Sequence, residues 1–75
     1  MSNMADELHK GDRVSWSSHS GRARGEVVRK LTSTTHLRGH TAVATADEPQ
    51  YLVRTFDGRE AAHHRRALRR LPGPR

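Results

Sequence analysis

Apolar and polar residues alternate along most of this chain with a period of two, in short runs separated by turn residues. After Gly11-Asp12, Val14 and Trp16 alternate with Arg13 and Ser15, the pattern of a half-buried strand. Residues 17–21, Ser-Ser-His-Ser-Gly, then supply a turn. From Arg22 to Leu31 the residues Ala23, Gly25, Val27 and Leu31 fall on one parity, and Arg24, Glu26 and Lys30 on the other. That predicts a second, longer strand, and Gly25 within it predicts a bulge or sharp bend. Thr32-Ser33-Thr34-Thr35 reads as a loop, after which Leu37 and residues 41–45 predict a third strand interrupted at Gly39 and ended by Asp47-Glu48-Pro49. Gln50 to Thr55 is the clearest strand, and Asp57-Gly58 predicts a tight hairpin into Glu60-Ala61-Ala62-His63. Ala67, Leu68 and Leu71 have helical spacing before Pro72, which predicts one helical turn with a short closing strand. Asn3, Asp6, Lys10 and Gly11 sit where the caps of a short N-terminal helix would fall. So short a helix is marginal in water.

The expected organisation is a flexible N-terminal arm over residues 1–9, a domain over 10–71 and a tail over 72–75. Five short strands with glycine at the bends predict a small curled sheet or barrel, because closure removes the edges that so short a set would expose. The 75 residues include 16 large apolar side chains (Val, Leu, Met, Trp, Tyr, Phe), enough for one small core. A two-domain enzyme is excluded. A catalytic cleft in so small a core would remove the contacts that hold it together, so function belongs on the surface or at an edge.

Charge sharpens this picture. Fourteen Lys+Arg against eight Asp+Glu give +6, and residues 49–75 alone hold seven basic and two acidic side chains, or +5. Such a field favours polyanionic partners. Twelve of the fourteen cations are Arg, which suits forked phosphate contacts, although GC-rich codon usage has the same outcome. There is no cysteine, hence no disulfide and no thiolate site, and no apolar run long enough for a membrane span or a signal-peptide core. The expectation is a cytoplasmic monomer that does not bind membranes.

The residues also carry a family resemblance. Lys10-Gly11-Asp12-Arg13-Val14-Ser15-Trp16, Gly25-Glu26-Val27-Val28, Gly39-His40-Thr41, Asp47-Glu48-Pro49-Gln50-Tyr51-Leu52-Val53 and Glu60-Ala61-Ala62-His63 resemble the hypervirulence-associated protein Tudor-domain family, from Lys10 to Leu71. The Gly-His-Thr and Glu-Pro-Gln-Tyr-Leu-Val blocks are the specific part. The resemblance implies an all-β, SH3-like, Tudor-type five-stranded barrel with a short helical turn near the C-terminus. It brings no established site. After His63 the chain departs from the family pattern, with His64-Arg65-Arg66 where a Lys-Pro pair is common.

Candidate chemistry is sparse. The six histidines form no metal-ligand spacing, and no nucleophile elbow, carboxylate pair or phosphate loop is present, so neither an enzyme nor a cofactor is expected. His40 and His63 are assigned a structural role, a ring N–H bonded to a backbone carbonyl. Trp16, Tyr51 and Phe56 are the three aromatics, and each is expected in the core rather than in a cation-binding cage, with Tyr51 the candidate for a groove edge. Arg22, Arg24, Arg29 and Arg54 on strands, with Arg65, Arg66, Arg69 and Arg70 on the final turn, predict a continuous basic stripe for DNA or RNA phosphates. On a helical turn the four C-terminal arginines would point outward, removable without loss of packing. The bland reading of the stripe is a solvated face. The alternative function is a protein-interaction adaptor taking a peptide or partner strand in a groove formed by Trp16, His40, Tyr51 and His63.

Overall fold

The computed structural model describes residues 7–72. Its elements in chain order are β1 (Arg13–Ser18), β2 (Gly21–Leu31), β3 (Thr35–Leu37), β4 (His40–Ala42), β5 (Gln50–Thr55), β6 (Glu60–His64), a 3₁₀ turn (Arg65–Ala67) and β7 (Arg69–Arg70). Five of the strands form one antiparallel sheet in the order β6-β5-β2-β1-β7, and β3 and β4 pair as a separate hairpin.

Chain connectivity forces this sheet to curl. The edge strands β6 and β7 are joined by only the four residues 65–68. Such a link spans at most about 18 Å fully extended, and less with a 3₁₀ turn inside it. Four strand spacings in a flat sheet would set the edges about 19 Å apart. The edges therefore approach each other as in a small barrel, with Leu68 tucked inside the join.

Alternation selects the inner face. Val14 and Trp16 of β1, Val27 of β2, and Tyr51 and Val53 of β5 form the main core with Leu8 and Leu68, backed by Ala23 and Ala61. A second cluster, Leu31, Ala42, Ala44 and Leu52 with Val28, Leu37 and Ala62, packs the β3–β4 hairpin against the sheet. Val27 and Leu31 share a parity in the sequence yet lie in different clusters. The cause is a bulge: Val27 faces Val53 and Arg29 faces Leu52, so Val28 is the extra residue and the faces exchange beyond it.

Several expectations are corrected. The irregularity in β2 lies at Val28, not at Gly25. Gly25 answers a different need: a Cβ there would sit 2.0 Å from the Arg54 carbonyl oxygen, so only glycine allows β2 and β5 this approach. The interrupted third strand is the β3–β4 hairpin, its two-residue turn completed by Gly39 at φ +89°. The C-terminal helical turn is a three-residue 3₁₀ turn, and Arg69 and Arg70 leave it as β7. The packed body starts before Lys10, because Leu8 is 3% exposed in the main core and Lys30 pairs with Glu7 at 3.1 Å. The helix cap expected from Asn3 and Asp6 lies outside the described residues.

Candidate nucleic-acid interface

The strand register arranges the charges of the outer face in rows. In one row Arg13 faces Glu26, Glu26 faces Arg54, and Arg54 faces Glu60, so signs alternate across four strands. Arg54 donates to Glu60 at 2.9 Å, and this row is largely self-neutralised. In the next row Ser15 faces Arg69 on one side and Arg24 on the other, and Ser17 faces Arg22. No carboxylate stands in any of these three pairings. The basic field therefore belongs to the β7-β1-β2 part of the sheet.

Ser15 is an outward-facing polar residue, yet it is buried. Arg22 covers it: one guanidinium nitrogen donates to Ser15 Oγ at 2.7 Å and another to Ser17 Oγ at 3.2 Å. Two of the five N–H donors are thus used in fixing the fork over β1, and the rest remain for a ligand. Arg22 also lines a shallow groove with Arg65, Arg66, Leu68, Arg69 and Arg70, and no carboxylate is in the lining. Two of these cations have structural duties. Arg65 donates to the Leu68 carbonyl at 2.9 Å, and Arg70 to the Glu7 carbonyl at 2.8 Å, with Asp12 3.7 Å away. The side chains of Arg24, Arg66 and Arg69 make no hydrogen bond or ion pair among the described residues. On the far side of the 3₁₀ turn, Asp47 and Glu48 line a cleft with His64, Arg65 and Arg66.

The predicted stripe is therefore not continuous. Arg22, Arg65, Arg66 and Arg69 line one groove and Arg24 flanks them, Arg70 lines it too but turns its side chain with Val14 toward Glu7 and Asp12, and Arg29 and Arg54 fall outside. Arg29 follows the bulge, and Arg54 is drawn by Glu60 into a separate polar concavity with Arg38 and Arg59. The four C-terminal arginines do not all point outward either, since Arg65 and Arg70 are tied to backbone carbonyls.

The expected groove of Trp16, His40, Tyr51 and His63 is not an open one. Trp16 and Tyr51 are each 3% exposed in the core, and the groove-edge expectation for Tyr51 fails because alternation in β5 turns its ring inward with Val53. His63 faces Tyr51 across the ladder, with its ring centroid 5.7 Å from that of Trp16. Burial, then the nearby His40 and His64, hold the His63 pKa below its ordinary value. The carbonyl-bonded histidine is neither His40 nor His63: His64 Nδ1–H donates to the Pro49 carbonyl at 3.1 Å. His36 and His40 lie on opposite arms of the hairpin, and among the described residues no cluster could hold a metal ion. No helix among the described residues is long and apolar enough to cross a membrane.

Sequence reasoning missed Phe56. Expected in the core, it is 66% exposed at the end of β5, and the Arg13 guanidinium carbon lies 5.9 Å from its ring centroid. The cue was its place next to Asp57-Gly58, in the turn rather than in the alternating run.

A curled antiparallel sheet with a polar surface groove and a core filled by its own side chains defines a small binding module. The chain belongs to the hypervirulence-associated protein Tudor-domain family, whose model matches residues 11–68. No match was found among curated proteins or among solved structures.

Proposed function

We propose that this domain binds nucleic acid through the arginine groove on the β7-β1-β2 side of the barrel, without catalysis, as a cytoplasmic monomer. The observation that carries the reading is one groove lined by Arg22, Arg65, Arg66, Arg69 and Arg70 and by no carboxylate, in which the Arg66 and Arg69 side chains have no partner among the described residues. Like charges are brought together there by folding, from β2 and from the C-terminal turn, at an electrostatic cost that an anionic ligand would relieve. The fixed fork of Arg22 supports phosphate as that ligand, since a preset guanidinium loses little freedom on binding. Burial of Trp16 and Tyr51 weakens the alternative of a peptide groove.

The test is binding to short oligonucleotides over a series of salt concentrations. With about four phosphates engaged, log K should fall against log salt with a slope of roughly −3.6 on duplex and roughly −2.8 on a single strand. Absence of binding to either form at about 50 mM salt would reject the reading and return the adaptor function to first place.

A further inference from the structure

Phe56 stands where an aromatic ring gains least from the hydrophobic effect. The two other aromatics are buried, whereas Phe56 is 66% exposed. With Trp16, Ala23 and Ala61 it lines a concavity at the mouth of the barrel, and Arg22 and Arg24 form part of the same lining. Arg22 also lines the arginine groove, so the two concavities share that residue. The two sides differ in pairing: Arg22 and Arg24 come from β2 with no carboxylate beside them, while Asp57, Arg59 and Glu60 come from the turn beyond β5 and the start of β6, where Arg59 lies 3.9 Å from Asp57 and Arg54 pairs with Glu60 at 2.9 Å. Asp57 accepts a hydrogen bond from the Thr55 hydroxyl, which holds its carboxyl below the ordinary range and keeps it an acceptor.

This layout matches the parts of a nucleotide. Phosphates favour Arg22 and Arg24, whose side chains have no carboxylate partner among the described residues. Bases carry amino and imino N–H groups that donate to carboxylates, and flat faces that stack on an aromatic ring. The bases of a duplex are already stacked and paired, so only an unpaired base can reach Phe56.

We propose that Phe56 stacks an unpaired nucleobase at the barrel mouth while the strand's phosphates run from Arg24 and Arg22 toward Arg66 and Arg69, which makes the ligand single-stranded nucleic acid. The inference rests on the polyanion reading above and adds the strand state to it.

The experiment compares wild type with Phe56→Leu and Phe56→Trp, using a ten-nucleotide mixed-sequence single strand, as DNA and as RNA, and the DNA duplex of that sequence. Phe56→Leu keeps apolar bulk and removes the π face. It should lower single-strand affinity by roughly 5-fold or more, in at least one of the two strands, with duplex affinity unchanged. Phe56→Trp should restore it, and all three proteins should melt alike because the side chain is exposed. Single-strand affinity within about twofold of wild type, or an equal loss on duplex, overturns the stacking inference while leaving the arginine reading standing. Wild type binding neither strand form overturns both.

Discussion

Gly25 and His63 show how single positions constrain this barrel. The Arg54 carbonyl occupies the place a side chain would need at position 25. Gly25→Ala must push β2 from β5 in the middle of the sheet, and we expect a loss of about 2 kcal/mol or more, read as a lower urea midpoint. His63 sets a pH dependence. Its imidazole is harder to protonate in the fold than in the unfolded chain, where the value is 6.5. The unfolded chain therefore binds more protons in that window, and stability rises with pH. The contribution is complete above about 6.5 and is lost as pH falls toward the lower folded value. Melting temperatures should drop between about pH 7.5 and pH 5.5, and the drop should shrink in His63→Gln. An unchanged drop in that variant would show that His63 is not its source.

Among the elements, the C-terminal turn separates binding from stability. Arg66 and Arg69 line the groove and their side chains make no hydrogen bond or ion pair among the described residues, whereas Arg65 and Arg70 hold the Leu68 and Glu7 carbonyls. Arg66→Gln with Arg69→Gln should weaken oligonucleotide binding and reduce the salt slope by up to about two phosphates' worth, leaving the melting temperature unchanged. Arg65→Gln with Arg70→Gln should lower the melting temperature, because two carbonyls lose charge-assisted partners. The difference between these pairs was not legible in the sequence, where all four arginines look alike. What could be read were β1, where parity alone sets Val14 and Trp16 inward, and the existence of β5, whose run Tyr51-Leu52-Val53 is buried throughout and divides between the two clusters. The bulge at Val28 could not be read, because Val27 and Val28 are both apolar and either fits a core. The β3–β4 hairpin was hidden for a related reason: its fully buried residue is Ala42, joined in the second cluster by Ala44 just beyond β4, and alanine carries a weak hydrophobic signal.

For the whole molecule, folding converts a diffuse basic composition into two unlike territories. One is the alternating row from Arg13 to Glu60, which spends its charge internally, and the other is the arginine groove. The net charge was plain from the sequence, but its division depended on which strands become neighbours, and that follows from topology. The N-terminal segment takes part in the same body. Leu8 fills the main core beside Leu68 and Trp16, so Leu8→Ala should cost about 2–3 kcal/mol. A urea midpoint within error of wild type would show that the barrel closes without it.

The tie between Arg70 and the Glu7 carbonyl places the two ends of the described chain side by side. In an antiparallel pair the start of one strand lies beside the end of the other, and here β7 pairs with β1 at only Val14↔Arg70 and Ser15↔Arg69. A force pulling the ends apart therefore loads these contacts one after another rather than together. The barrel is mechanically a zipper with its slider at the termini: tension through flanking chain would release β7 first, lift Leu68 from the core and take apart the arginine groove before the rest of the sheet yields.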